Sequence, residues 1–484
     1  MHKRLVFNII SRNLLIVCLF MLIPLGWAVA EDLYSVEVSA FVATLAFGIF
    51  IATAARLGSR VKKEDFNNLN IKDGLAIVGL SWIGLSAFGA LPLFLTGVVP
   101  TYMDAFFEIT SGFTTTGATV IPNVEILPPG ILFWRSLTHW LGGMGIIVLY
   151  LALLPALGHN AFQLFKAESP GLTAERILPR IRETAQVLWK VYFFLSFLET
   201  GLLMAGGMTL FDALCHTFGT MATGGFSTRN ASLAAFSPFV QWVVVVFMFL
   251  AGTNFMLHYL ALKGNLRAYF QSEEFRWYFF LIVFLVPVFA LALVRAAAPE
   301  SPLRLAVFQV VSILTTTGFT TTDFNAWPPF LTFVLVLLMF IGGCGGSTGG
   351  GLKVVRIILN IKIAIRSVVQ AVLPNAVLRV RFNNAALSSP LVLGAVSYFV
   401  IFVGLFFLGT TLMTLTEGCD LVTAMAASIA TLSNIGPGLG AVGAAQNYAW
   451  ISLPGKGVLI FLMLAGRLEL YSILILLLPA TWKK

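Results

Sequence analysis

Four short strings of small polar residues and glycine are the parts of this sequence best suited to holding an ion. Each string follows an apolar stretch that is too short to cross a membrane. Glycine accepts positive φ angles and leaves the centre of a narrow passage free of side chains. Successive carbonyl oxygens could then replace the hydration shell of a cation. We predict that the strings together line a short pore; they span 114–119, 221–228, 315–321 and 431–438.

One glycine of each string is expected to line this pore, with the carbonyls of the two preceding residues coordinating the ion. From the first string to the fourth, the predicted positions are Thr115, Thr116 and Gly117; Ala222, Thr223 and Gly224; Thr316, Thr317 and Gly318; and Asn434, Ile435 and Gly436. The fourth string departs most from a Thr-x-Gly pattern, because Asn434-Ile435 precede its glycine and Pro437 follows it. We therefore expect selectivity among monovalent cations to be modest rather than absolute.

A glycine-dense run further along the chain could form a gate below these strings. Glycine costs a helix about 1 kcal/mol per residue relative to alanine, so the run should interrupt a membrane helix and hang in the pore as a loop. The alternative is close packing of helices through small residues. The predicted gate glycines are Gly342, Gly343, Gly345, Gly346, Gly349, Gly350 and Gly351.

A single arginine, Arg467, lies near the middle of the last apolar segment. A charge at that depth must face protein or water, because contact with lipid is too costly. It could act as a fixed positive charge that closes the conduction path together with the glycine run. The alternative is a structural role, in an ion pair or in bonds to free carbonyls of an unwound neighbour. We predict that Arg467 belongs to the gate.

The elements that must position these residues are membrane helices. Apolar residues make up 58% of the chain and charged residues 11%, whereas soluble domains have about 45–50% and about 25%. A spanning helix needs roughly 20 mainly apolar residues. Ten segments qualify, at 5–30, 37–57, 74–97, 131–157, 186–206, 238–262, 277–297, 328–358, 389–413 and 456–481. The eighth contains the glycine run and is expected not to be one straight helix.

The strings recur about every 100 residues, which indicates a repeated structural unit. Each unit contains a helix, a short pore helix, a string and a return helix. The predicted fold is an all-α polytopic membrane protein with four pseudo-fourfold helix–pore loop–helix repeats around one pore, preceded by a two-helix hairpin. The expected boundaries are 1–70 for the hairpin and 71–165, 166–268, 269–380 and 381–484 for the repeats, with the gating loop in the third.

The distribution of basic residues indicates the orientation. Most of the 30 lysines and arginines lie on alternate loops on one side, and the positive-inside rule places that side and both termini in the cytoplasm. The net charge of +9 therefore reflects topology, and no nucleic-acid partner is expected. The first segment could instead be a signal peptide cleaved after Ala28-Val29-Ala30. We favour a retained helix, since it makes the number of spans even.

At its four strings the chain resembles the Trk/Ktr/HKT superfamily of potassium transporters, and within it the bacterial TrkH/TrkG branch. The resemblance covers essentially the whole chain, and the extra N-terminal hairpin is typical of the Trk branch. Three further motifs carry it. They are Trp-Leu-Gly-Gly-Met-Gly at 140–145, Ile-Gly-Gly-Cys-Gly-Gly-Ser-Thr-Gly-Gly-Gly-Leu-Lys at 341–353, and Gly-Arg-Leu-Glu at 466–469.

This resemblance implies potassium uptake across a bacterial inner membrane through a gated, channel-like pore. Potassium is then the transported ligand, and no organic cofactor is expected in this chain. Relatives that favour sodium carry a serine at the first glycine position, where this chain has Gly117. The resemblance also implies a homodimer with one pore per protomer and a cytoplasmic ring of a TrkA-like nucleotide-binding regulatory protein.

Other functions are less well supported by the sequence. Proton- or sodium-coupled potassium symport through the same fold is the main alternative, but Glu199 and Glu469 are the only acids in the interior of the predicted spans. A secondary transporter with inverted repeats is disfavoured because the four units are parallel in topology. A membrane enzyme is not expected, since no HExxH motif, nucleotide-binding motif or intramembrane Asp or His pair is present.

Overall fold

The computed structural model describes residues 2–59, 61, 70–143, 145, 181–297, 301–376 and 378–482. This part of the chain is helical apart from loops, short 3₁₀ turns and one antiparallel hairpin, in which β1 (Arg381–Phe382) pairs with β2 (Ala385–Ala386). The all-α membrane architecture predicted from the sequence is confirmed.

A two-helix hairpin precedes the repeats, as predicted. It consists of α1 (Lys3–Glu31) and α2 (Val36–Ser59). Helix α1 runs without interruption through the candidate cleavage site at 28–30 and packs against α2 and against the first helix of the first repeat. From α2, the Glu37 carboxylate accepts a hydrogen bond from the Ile131 backbone N–H at 2.5 Å and so joins the hairpin to that repeat.

Each repeat then contains a long first helix, a short pore helix and a second helix. The first helices are α3 (Ile71–Gly89), which continues into α4 (Leu91–Leu95), α7 (Ile181–Ala205), α12 (Glu273–Arg295) and α16 (Ser389–Glu417). The pore helices are α5 (Tyr102–Phe113), α8 (Leu210–Met221), α13 (Pro302–Leu314) and α17 (Leu421–Leu432). The second helices are α6 (129–143 as far as it is described), α9 (Pro238–Ala251), α14 (Pro329–Ile341) and α18 (Leu453–Arg467).

The repeats close into a ring because each second helix packs against the pore helix of the next repeat. Helix α9 contacts α13, α14 contacts α17, and α18 contacts α5, which links the fourth repeat back to the first. Helix α6 reaches α8 through the edge-on ring contact of Phe133 and Phe218, at 5.7 Å between centroids. This arrangement points the C-terminal ends of all four pore helices toward one centre.

The second helices are interrupted more often than the sequence suggested. Helices α9 and α10 (Phe255–Leu262) meet at an angle of 100°. Twelve residues after Ile341 are non-helical before α15 (Val354–Val372) begins, which confirms the break expected in the eighth segment. The last segment is broken between α18 and α19 (Tyr471–Leu477), where Glu469 and Leu470 both have φ near +57°. Two short helices complete the described chain, α11 (Arg267–Gln271) and α20 (Pro479–Trp482).

Six helices of the described chain are long and apolar enough to cross a membrane, and the bent α9–α10 pair would be a seventh. The six correspond to segments predicted from the sequence: Lys3–Glu31, Val36–Ser59, Lys72–Leu95, Gln186–Ala205, Glu273–Arg295 and Ser389–Glu417. The segment predicted at 131–157 is described at 131–143 and 145, where it is helical, and its other residues lie outside the described part of the chain.

Candidate ion filter and gate

Every pore helix ends in the same backbone turn. The second residue after each helix is a non-glycine residue with positive φ: Thr115 (+52°), Thr223 (+54°), Thr316 (+60°) and Asn434 (+55°). Such angles are genuine outliers for β-branched threonine and cost on the order of 1–3 kcal/mol each, so they persist only where the surrounding structure imposes them. The next N–H then bonds back to the pore helix, as from Thr116 to the Ser111 carbonyl at 2.8 Å. The same turn in all four repeats indicates a shared function.

The four strings touch one another in a closed cycle. A Cβ atom placed on Gly117 would lie closer than 3.0 Å to the carbonyl oxygen of Gly224. Equivalent overlaps join each remaining string to the next and the fourth to the first; the pairs are Gly225 with Thr317, Gly318 with Ile435, and Gly436 with Thr116. Glycine is required at these positions both by positive φ and by the neighbouring backbone.

This cycle corrects the predicted register of the second string. The glycine that corresponds to Gly117, Gly318 and Gly436 is Gly225, whose φ is +81°, rather than Gly224. The N–H of Gly224 bonds to the Gly219 carbonyl at 2.7 Å, which is the bond made by Thr116 in the first string. By backbone equivalence, the predicted trio Ala222, Thr223 and Gly224 therefore lies one residue before the positions of the other three trios. The shift was hidden because two glycines stand side by side there.

His139 explains why the second string has a glycine at 224. Its fully buried ring lies against Gly224, where a Cβ atom would come within 2.7 Å of three ring atoms. The ring also stacks on Phe226 with 4.1 Å between centroids. Neither ring nitrogen has a hydrogen-bond partner among the described residues. Sequence reasoning missed His139, because a lone histidine on an apolar helix gives no signal of its neighbours.

The corrected register predicts that removing the His139 ring restores the stability lost on substituting Gly224. Gly224→Ala should destabilise the protein by about 1–3 kcal/mol through overpacking against the His139 ring. In a His139→Ala background the same substitution should cost much less, giving a coupling of about 1 kcal/mol or more. Thermal unfolding of the four variants of the cycle, together with cation flux in proteoliposomes, measures this coupling.

Gly225→Ala is the matched control for that cycle. Its Cβ would meet the Thr317 backbone at positive φ, so removing the His139 ring should give no rescue. Equal rescue of both alanine variants, or of neither, would contradict the register.

Hydroxyl groups brace the strings from behind. The side chains of Thr114 and Thr116 bond to each other at 2.8 Å, and Thr315 and Thr317 repeat this contact at 2.8 Å. In the fourth string the Tyr448 hydroxyl donates to the Gly436 carbonyl at 2.6 Å. The threonine hydroxyls thus brace the first and third strings, and the tyrosine hydroxyl braces the fourth.

A buried ion pair supports the first string. The Glu108 carboxylate on α5 accepts hydrogen bonds from the Thr119 hydroxyl and the Val120 N–H, at 3.0 and 2.9 Å. The Arg135 guanidinium on α6 lies 2.6 Å from the same carboxylate, and both side chains are essentially inaccessible to solvent. Breaking such a pair leaves an uncompensated buried charge, so each member depends on the other. The sequence reasoning did not connect these two residues.

Hydrogen bonds between the loops that follow the strings hold the four repeats together. The Asn230 side chain accepts from the Val124 N–H at 2.9 Å, and Leu233 donates to the Thr320 carbonyl at 3.0 Å. The remaining two links complete the circle; they join Asn325 to Gly440 and Tyr448 to Thr119. These hydrogen bonds connect all four repeats in a circle around the strings.

The glycine run lies directly against the C-terminal ends of three pore helices. The Thr348 hydroxyl donates to the Met221 carbonyl at 2.9 Å, at the end of α8. The Gly350 N–H donates to the Thr316 hydroxyl at 2.6 Å, and a Cβ on Gly350 would collide with the Ser433 carbonyl. The loop therefore occupies the space beneath the second, third and fourth strings, where the sequence predicted a gate.

Arg467, at the end of α18, connects this loop to the first repeat. Its guanidinium donates to the Thr348 carbonyl at 2.6 Å and to the Gly142 carbonyl of α6 at 3.0 Å. The side chain is only 4% exposed, so these carbonyls replace the water that a charged group needs. Arg467 is thus a tie across the space beneath the strings, as in the alternative of bonds to free carbonyls of an unwound neighbour.

Two further charged side chains anchor the loop. The buried Glu274 carboxylate accepts from the N–H groups of Gly345 and Val355, at 2.6 and 3.1 Å. It therefore clamps both arms of the loop to α12. The Lys353 ammonium group donates to the Gly349 carbonyl within the loop itself. Lys353 ends the motif at 341–353, but neither of these contacts could be predicted from the sequence, because both depend on the loop folding back.

Comparison with known proteins agrees with this architecture. The family described as "TrkH: Cation transport protein" matches residues 39–483. The chain is 42% identical over 448 residues to the Trk system potassium uptake protein TrkH of Escherichia coli, covering 91% of this chain and 92% of that protein. The TrkH protein of Halomonas elongata is 41% identical over 451 residues, covering 91% and 92%.

The fold also matches a solved structure. The crystal structure of the potassium transporter TrkH from Vibrio parahaemolyticus superimposes with a TM-score of 0.87 at 38% identity, and the match covers 100% of both chains. The match therefore includes the N-terminal hairpin as well as the pore repeats. By sequence and by fold, this chain belongs to the TrkH family of cation transport proteins.

Proposed function

We propose that this chain takes up potassium across the bacterial inner membrane through a gated, channel-like pore. The observation that carries the proposal is the closed cycle of four strings, each with the same strained turn at the end of a pore helix. A preorganised ring of carbonyls suits a dehydrated monovalent cation. The partial negative charges at the ends of four converging helices add to its stabilisation. The potassium uptake proteins among the relatives support potassium as the ion.

We assign the coordinating carbonyls to the two residues before each positive-φ glycine. With the corrected second string, they belong to Thr115, Thr116, Thr223, Gly224, Thr316, Thr317, Asn434 and Ile435. The lining glycines are then Gly117, Gly225, Gly318 and Gly436. Ala222 corresponds to Thr114 and Thr315 at the end of its pore helix, and so lies outside the coordinating set.

The glycine run and Arg467 are proposed as the gate. The contacts of the loop with Met221 and Thr316 and its tie to Gly142 through Arg467 support this role, because they fill the space beneath the strings. A fixed positive charge there would repel a cation. Glycine allows the loop to change conformation at low steric cost.

The assembly and orientation follow from the same proposal. We propose a homodimer with one pore per protomer and both termini in the cytoplasm, where the basic loops would lie. A TrkA-like nucleotide-binding ring on that face would act on the gate. The naming of the relatives as components of a Trk system supports a regulatory partner.

Coupled symport is the second candidate, and Glu199 favours it. This carboxyl group is fully buried in α7 and forms no ion pair with any residue of the described part of the chain. Intramembrane acids of this kind often mark proton pathways. A channel needs no such group.

Flux measurements in proteoliposomes separate the two candidates. Channel-like uptake predicts potassium flux that follows the potassium gradient and the membrane potential, with no driving force from an imposed proton or sodium gradient. Glu199→Gln should then leave the driving force unchanged. Potassium accumulation driven by a proton gradient at zero membrane potential, and lost in Glu199→Gln, would instead establish symport. Accumulation driven by a sodium gradient would equally overturn the channel.

A further inference from the structure

A cavity of about 720 Å³ lies between α15, the β-hairpin and the start of α16. Two arginines contribute to its lining, Arg366 from α15 and Arg379 from the segment before β1. Its other wall is mainly apolar and includes Leu387, Val392 and Val396. None of the described residues that line it is acidic. The cavity is therefore amphipathic, with its positive charge uncompensated from within.

The walls of this cavity are held in place by hydrogen bonds within the hairpin and from the hairpin to α12 and α15. The Leu387 N–H donates to the Val380 carbonyl at 2.9 Å, and the Lys362 ammonium group donates to the Arg381 carbonyl at 2.8 Å. Glu273 at the start of α12 accepts from the Asn383 N–H at 3.2 Å at the tip of the hairpin. The hairpin is thus fixed to α12 and α15, and the space behind it is a formed feature.

The two arginines differ from Arg356 and Lys362, the basic residues that precede Arg366 on α15. Lys362 pairs with Glu273, and Arg356 pairs with Glu469 at 2.7 Å. Arg366 and Arg379 form no ion pair with any residue in the described part of the chain. Guanidinium groups bind phosphate oxygens with two parallel hydrogen bonds. Their donors beside a cavity therefore suit an anionic phosphate group.

The depth of the apolar wall identifies the source of that phosphate. Helix α16 begins at Ser389 and is long and apolar enough to span the membrane. Val392 and Val396 lie in its first two turns, so the wall extends roughly 10 Å along the helix from its start. A free phosphate ion would leave this apolar wall unused, whereas a lipid carries an acyl chain that covers it.

We propose that this cavity binds an anionic phospholipid, with its phosphate between Arg366 and Arg379 and an acyl chain along Val392 and Val396. Basic pockets between membrane helices, close to the aqueous surface, recognise anionic headgroups in this way. The site lies on α15, the helix that continues directly from the glycine run. It depends on the placement of α16 in the membrane and is independent of which ion the pore carries.

Competitive lipid retention tests this proposal. The full chain is reconstituted in nanodiscs of equal phosphatidylglycerol and phosphatidylcholine, and the lipids retained after release are counted by native mass spectrometry. The natural chain should retain phosphatidylglycerol preferentially. Arg366→Gln/Arg379→Gln should reduce that preference about tenfold, because each basic residue near the surface contributes to anionic-lipid binding. Retention equal to that of the natural chain would overturn the proposal.

Two controls make the result specific. Arg267→Gln/Arg276→Gln removes the same charge from exposed positions of α11 and α12 outside the cavity and should leave retention unchanged. Val392→Trp should fill the acyl groove and abolish the preference while both arginines remain. If the control pair loses as much phosphatidylglycerol as Arg366→Gln/Arg379→Gln, the lipid site is wrong. It is also wrong if Val392→Trp still retains phosphatidylglycerol and inorganic phosphate displaces that lipid. If the double variant misfolds, the exposed Arg379→Gln alone carries the same test.

Discussion

Replacing Gly117 with serine is expected to lower the preference for potassium over sodium about tenfold, the equivalent of about 1.4 kcal/mol. Gly117 has a φ of +78°, a region that L-residues occupy at a cost of roughly 1–2 kcal/mol. A Cβ atom there would also collide with the Gly224 carbonyl of the neighbouring string. Because the four strings touch in a cycle, this collision should displace carbonyls in two repeats. Bi-ionic reversal potentials measure the ratio.

The matched control is Gly404→Ser in α16. A Cβ atom on Gly404 would have no neighbouring atom within 4 Å, and the residue does not lie in the left-handed region. The serine there should leave the permeability ratio unchanged. If Gly117→Ser retains the original potassium preference while conducting, the first string does not select the ion, and the proposed filter is wrong.

Neutralising Arg467 to glutamine is expected to raise potassium flux in the resting state about tenfold or more. A cation a few ångströms from a unit charge is repelled by roughly 1–4 kcal/mol, depending on the local dielectric. The structure adds a mechanical contribution, because the guanidinium ties Thr348 of the loop to Gly142 of α6. A neutral glutamine cannot form charge-assisted hydrogen bonds to the Thr348 and Gly142 carbonyls at the same time. Efflux from proteoliposomes, normalised to folded protein, measures the change.

Arg467→Lys separates the two contributions. It keeps the positive charge but replaces the planar fork with a single ammonium group. If repulsion closes the pore, this variant should stay nearly as closed as the natural chain. If the tie to Thr348 and Gly142 closes it, flux should rise almost as far as in Arg467→Gln. Unchanged flux in a folded Arg467→Gln, or loss of that protein from the membrane, would show that Arg467 has only a structural role.

Structural features that depend on residues close together in the sequence could be predicted from the sequence alone. The length and apolar character of α1, α2 and α16 identified them as membrane helices. The short apolar stretches before the strings identified the four pore helices. The density of glycine from Gly342 to Gly351 was sufficient to predict the break between α14 and α15, because each glycine weakens helix locally. Arg467 stood out because its charge is unusual at that depth.

Only the tertiary structure decided which residues meet. The choice of Gly225 over Gly224 depends on the Thr317 carbonyl of another repeat and on the His139 ring, both remote in sequence. The positive φ of Thr115 is contrary to the preference of threonine, so it reflects the surrounding cycle of strings. The pairing of Glu108 with Arg135 likewise requires two helices to be packed first. Local propensity specifies helices and their breaks, whereas register and charge pairing arise from contacts that exist only after the four repeats close into a ring.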